Sequence, residues 1–228
     1  WAPSSATQSG GAMVNIGSGW GNEEHAQTAD RAEVSVEVHR VAGAAYDSGW
    51  FSMASQAGDA SFQEVAHGLG AVPGRVRVLV KATDGPNAGF AFEAWGAQHA
   101  DDDGAGSYGG LVFGYGAATV RLFAPRRSNG AKPGHLVNIG SGWAGTKHNQ
   151  GSHAAQVRVQ AWREAGVPPD WSSDWVTMSS NSPTASFREF DHPLGHLPAY
   201  VQVRVKPSAG ANAGFVFEGV PNCQGDAE

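Results

Sequence analysis

The chain is written twice, and that constrains what it can fold into. Val14-Asn15-Ile16-Gly17-Ser18-Gly19-Trp20 returns letter for letter as Val137-Asn138-Ile139-Gly140-Ser141-Gly142-Trp143, 123 residues later. A second block, 61–93, returns as 186–218 at an offset of 125, with 18 of 33 positions identical. Agreement over this length marks a tandem duplication of one folding unit. With 228 residues and a period near 123, two units of ordinary domain size follow, each able to bury a core. The copies also serve as an internal comparison of what the unit keeps.

What it keeps is period-two alternation. Glu33 to Arg40 and Arg75 to Lys81 alternate apolar and polar residues, as do Gln156 to Trp162 and Val201 to Lys206. Successive strand side chains point to opposite faces, so these stretches read as half-buried strands with Val inward. Gly89–Glu93 and Gly214–Glu218 form another matched strand. Leu111–Tyr115 and Thr119–Phe123 read as a hairpin bending at 116–118, and Asp84-Gly85 and Asn129-Gly130 supply turns. No segment offers a capped, 3.6-periodic helix. The expected fold is all-β: two tandem antiparallel β-sandwich domains of about seven strands each. The 32 glycines, 12 prolines, 8 tryptophans and 16% charged residues suit an extracellular all-β module.

The copies differ at their ends. Trp1-Ala2-Pro3 matches Phe123-Ala124-Pro125, while the second copy stops about 22 residues short and lacks the equivalent of the 111–123 hairpin. Two divisions fit: repeats 1–122 and 123–228, the second truncated, or a complete unit 46–165 with 1–45 plus 166–228 as a composite. Either leaves one sheet with an unfilled edge, and such edges invite pairing with another chain. Self-association is therefore expected. The start at Trp1 reads as a processed product or an excised fragment.

Net charge −6 without a basic block argues against nucleic acid and against an anionic membrane surface. No apolar run approaches the roughly 18 residues of a membrane span. The one cysteine, Cys223, excludes an intramolecular disulfide and leaves pairing with another chain open. Catalytic signatures are missing: no nucleophile elbow, zinc-protease motif, phosphate loop or Cys-x-x-Cys. A non-enzyme is expected.

The local signature is aromatic. Trp50 and Met53, then Phe62, His67 and Pro73, return as Trp175, Met178, Phe187, His192 and Pro198. Both Trp-Met pairs read as core. His67 and His192 read as hydrogen-bonding their turns, and Asn87 and Asn212 as left-handed turn residues. This order, a Trp strand, a Phe strand, a short loop to Pro and a Val strand, resembles the opening half of the H-type lectin domain. The resemblance implies a compact antiparallel sandwich that binds N-acetylgalactosamine-type sugars and assembles as trimers or hexamers.

The candidate carbohydrate site is Trp20, His25 and Gln27, repeated as Trp143, His148 and Gln150. Each Trp follows Gly-Ser-Gly and opens a polar loop. It suits stacking on a sugar ring or capping one end of the sandwich. Asp101, Asp102 and Asp103 offer oxygen ligands of the kind Ca²⁺ takes, in a spacing unlike a helical calcium loop. Two functions remain. One is a secreted, lectin-like module whose duplication raises avidity for glycans. The other is a structural protein of an extracellular matrix, filament or biomineral that associates through open sheet edges.

Overall fold

The computed structural model describes residues 14–16, 27–29, 43–94, 96–97, 108–127, 133–139, 147, 149–163, 169–179, 187–196, 198 and 201–219. Among them regular structure is almost wholly β, with a 3-10 turn at Gly58–Ser61. Strands β1 (Val14–Ile16) and β2 (Gln27–Ala29) pair with each other. Twelve more run from β3 to β14: β3 (Tyr46–Asp47), β4 (Phe51–Ala54), β5 (Phe62–Ala66), β6 (Arg75–Ala82), β7 (Ala91–Glu93), β8 (Gly96–Ala97), β9 (Tyr108–Tyr115), β10 (Thr119–Phe123), β11 (Gly134–His135), β12 (Val137–Ile139), β13 (Gln150–Ser152) and β14 (Ala154–Trp162). Then come β15 (Val203–Val205) and β16 (Phe217–Gly219), which pair with each other.

Two five-stranded sheets organise the molecule. One runs β3-β14-β6-β7, with β4 also on β14; the other runs β11-β9-β10-β5, with β8 also on β9. All their strands lie between Tyr46 and Trp162. The pairings are antiparallel except β11 with β9. The expected hairpin is present, with Val120 opposite Tyr115 and Phe123 opposite Val112.

The alternation read in the sequence is the alternation that is buried. Along β6, Val76, Val78, Val80 and Ala82 are buried while Arg75, Arg77, Leu79 and Lys81 are half-buried. Along β14, Ala155, Val157, Val159 and Ala161 are buried in the same way. These two strands pair over eight residues, from Ala155 opposite Ala82 to Trp162 opposite Arg75. Their inward residues join Leu111, Phe113, Tyr115, Val120 and Leu122 of the other sheet in one apolar core.

The recurrent glycines are turn residues. Gly85 and Gly89 hold φ of 70° and 84°, and their counterparts Gly210 and Gly214 hold 85° and 81°. A side chain strains that left-handed region, so the duplication kept Gly there. Asn87 and Asn212, expected to be left-handed, are not, because the flanking glycines take that conformation. Asn87 is instead buried, and its carbonyl accepts from the amide of Phe90.

The two copies touch through the first copy's hairpin. Tyr115 bridges Val216 by two backbone hydrogen bonds of 2.9 and 2.8 Å, and its hydroxyl donates to Glu218 at 3.0 Å. Arg121 donates to the carbonyl of Ala211 and to Asn212, and its guanidinium lies over the Phe215 ring at 4.0 Å. Beside them Gly114 faces Phe217 so closely that a Cβ there would lie 2.6 Å from the ring.

Met53 is 3% exposed and its counterpart Met178 is 49% exposed. Met53→Ala should therefore cost about 2–5 kcal/mol in denaturant unfolding. Met178→Ala should stay within about 0.5 kcal/mol of wild type.

Candidate functional site

The second copy rebuilds the outer face of the first. Arg77 of β6 lies 3.4 Å from Glu93 of β7. At the matching positions Gln202 donates to both carboxylate oxygens of Glu218 at 3.1 Å. Lys81 sits over the ring of Trp50 at 4.4 Å, and Lys206 sits over Trp175 at the same distance. The registers agree too: Leu79 faces Glu93 and Val80 faces Phe92, while Arg204 faces Glu218 and Val205 faces Phe217. These strands thus have one geometry in both copies.

The inner faces differ completely. Val76, Val78 and Val80 are 6, 0 and 4% exposed, whereas Val201, Val203 and Val205 are 69, 56 and 53% exposed. Trp175, Val176, Met178, Phe187 and Phe190 are exposed too. Around β6, β14 pairs one edge and the β9–β10 sheet supplies the opposing core. Among the described residues β15 has a partner on one edge only, β16. Val201, Val203 and Val205 thus present apolar side chains to solvent on a strand that, among the described residues, has one free edge.

The expectation that Trp50 and Trp175 are core residues is corrected. Alternation sends Phe51 and Met53 inward, so Trp50 is half-buried on the outer face beneath Lys81, and Trp175 is exposed. A positive charge over the ring face is itself favourable and stands in for burial. His67 does serve its turn: its Nδ1 accepts from the amide of Leu69 at 3.2 Å, and its Nε2 lies 3.1 Å from the carbonyl of Gly116. His192 packs near Trp171.

Of the proposed carbohydrate set, Trp20, His25, Trp143 and His148 lie outside the described residues, as do Asp101, Asp102, Asp103 and Cys223. Gln27 lies on β2, and its side chain is outside the described part. Gln150 is not a surface ligand. It is buried, its Oε1 accepts from the amide of Asn87 at 3.1 Å, and its Nε2 donates to the Asp84 carbonyl at 2.9 Å and to Ser152 at 2.8 Å. That side chain ties β13 to the turn between β6 and β7. The sequence showed a polar loop, and the turn that folds onto it was the missing information. Among the described residues no cluster of three metal-binding side chains occurs, and no helix is long and apolar enough to cross a membrane.

Electrostatics reinforce the fold. Asp47 is held well below the ordinary carboxylate range, chiefly by hydrogen bonds from Arg158. Burial, then the nearby Glu218, pushes the Tyr115 hydroxyl far up, so it stays a donor. His135 stacks against His153 at 4.6 Å, and burial followed by the charge of that neighbour lowers its pKa.

No protein-family model matches the chain, and no characterised protein matches it in sequence.

A neutral His135 in the fold meets an ordinary histidine in the unfolded chain. Its contribution is whole above the unfolded value of about 6.5 and is lost as pH falls below it. The drop in unfolding midpoint between pH 7.5 and 5.5 should be smaller in His135→Leu than in wild type, measured by paired thermal melts.

Proposed function

We propose that this chain is a non-catalytic structural repeat module of an extracellular assembly, associating through the open sheet of its second copy. The observation that carries the reading is the contrast between equivalent valines. They are buried at 76, 78 and 80 and more than half exposed at 201, 203 and 205, on strands of matching register.

Fully burying a valine is worth roughly 1.5–3 kcal/mol, so the three together offer an association energy of several kcal/mol before ordering costs. Val176 and Met178, the counterparts of the inward Phe51 and Met53, are exposed as well. In this reading the folding unit is 46–165, and 1–45 with 166–228 belong to an incomplete unit. The strand pairing supports that division: β14, which follows the second Val-Asn-Ile-Gly motif in sequence, is the central partner of β6.

Sedimentation velocity over a wide concentration range tests the reading. Wild type should show concentration-dependent association. Val203→Lys should lose it while keeping the wild-type circular dichroism, because Val203 is already exposed. A wild type that stays monomeric throughout, or a Val203→Lys variant that associates normally, removes the proposal.

A further inference from the structure

We propose that the turn and strand edge at 86–93 form a docking platform for a β-hairpin of the β9–β10 kind, carried by another copy of the repeat. The surface is distinct from the second copy's valines, so it stands or falls separately from the assembly reading.

The molecule already contains one contact of this type. The hairpin of the first copy sits on the second copy, where Arg121 donates to the Ala211 carbonyl at 2.8 Å and covers the Phe215 ring. Tyr115 exchanges two backbone hydrogen bonds with Val216 and donates its hydroxyl to Glu218. Shifted by 125, the four receiving groups are the Pro86 carbonyl, the Phe90 ring, the Ala91 backbone and the Glu93 carboxylate. Each has the chemistry for the same role. Asn212 also accepts from Arg121, but its counterpart Asn87 is buried and is left out of the set.

The receiving turn has one shape in both copies. The Ala88 amide donates to the Gly85 carbonyl at 3.2 Å, and the Ala213 amide to Gly210 at 3.1 Å. Phe90 donates to the Asn87 carbonyl at 3.0 Å, and Phe215 to Asn212 at 3.1 Å. Gly89 donates to the Ala82 carbonyl at 2.9 Å, and Gly214 to Pro207 at 3.0 Å.

The strand edge is oriented in the same way. The Phe90 carbonyl accepts from the Ala82 amide, and the Ala94 amide donates to the Val78 carbonyl. Antiparallel ladders alternate, so residues 90, 92 and 94 bond toward β6 while the N–H and carbonyl of Ala91 point away from it. Those are the groups that Val216 gives to Tyr115.

What differs is the cover. Val216 is 5% exposed and Phe215 half-buried, whereas Ala91 is exposed and Phe90 is 64% exposed. In the second copy a guanidinium over the ring and a strand on the edge cover these positions, and both are general modes of recognition. The occupant comes from another copy of the repeat because this unit's own hairpin is bonded to Val216. The contact joins two different surfaces, so it passes from repeat to repeat unless a rotation closes it into a ring.

Titration of the full-length chain with a synthetic hairpin, followed by its backbone amide signals in heteronuclear NMR, tests this. The peptide has the sequence of residues 111–123 with Phe113→Cys and Leu122→Cys, which face each other across the hairpin and close it as a disulfide. It keeps Gly114, Tyr115 and Arg121, and its cross-strand nuclear Overhauser contacts verify the hairpin before use. The expected result is saturable shifts centred on the amides of Phe90 and Ala91. Phe90→Ser, a change at an exposed position, should weaken binding roughly twofold to thirtyfold, the range for a cation over an aromatic ring, as should Arg121→Ala in the peptide. Shifts confined to residues around Val216, where the peptide displaces the chain's own hairpin, overturn the proposal. So does the absence of shifts up to millimolar peptide, or a Phe90→Ser chain that binds as wild type does.

Discussion

The eight-residue pairing of β14 with β6 is the constraint on which the rest depends. It brings together strands separated by some 70 residues of sequence and buries both apolar faces against the β9–β10 sheet. Without β14 the core face of β6 has a free edge and half its neighbours. Among the described residues the second copy shows that condition in the same molecule: β15 and β16 keep their mutual register, their cation over Trp and their polar cross-strand contact, yet the valines are more than half exposed. Local strand geometry and burial are thus separable here. The first comes from two adjacent strands, the second only from a third.

Long-range closure also explains which polar residues recur. Gln150 stitches β13 to a turn some 65 positions earlier, and His67 links its own turn to the β9–β10 bend. Each replaces water on groups that the fold removes from solvent, which is the condition for burying them at small cost. Recurrence of a polar residue in a duplicated unit is accordingly as good a sign of such a stitch as of a ligand site.

Much of the fold is legible in the sequence. The Val strands at 75–82 and 154–162, the hairpin at 108–123 and the glycine turns at 85 and 89 follow from side-chain direction and allowed φ. The exposure of the second copy's valines is less so. Alternation tells which residues share a face but not what lies over it, so Val203, 56% exposed, reads in the sequence like the buried Val78. Trp50 lies on the outer face for a related reason. Size and hydrophobicity argue for burial, and only the inward placement of Phe51 and Met53 sends the Trp outward under Lys81. Gln150 looked like a loop ligand because its partners at Asp84 and Asn87 are distant in sequence.

The contact between Gly114 and Phe217 sets how closely the duplicated halves approach. The ring occupies the space that a single methyl group would fill on β9. The missing carbon lets the hairpin of one repeat approach the strand of the next closely enough for Tyr115 and Val216 to exchange backbone hydrogen bonds. A side chain at position 114 would collide with that ring, so the spacing between the duplicated halves of this chain depends on one absent carbon.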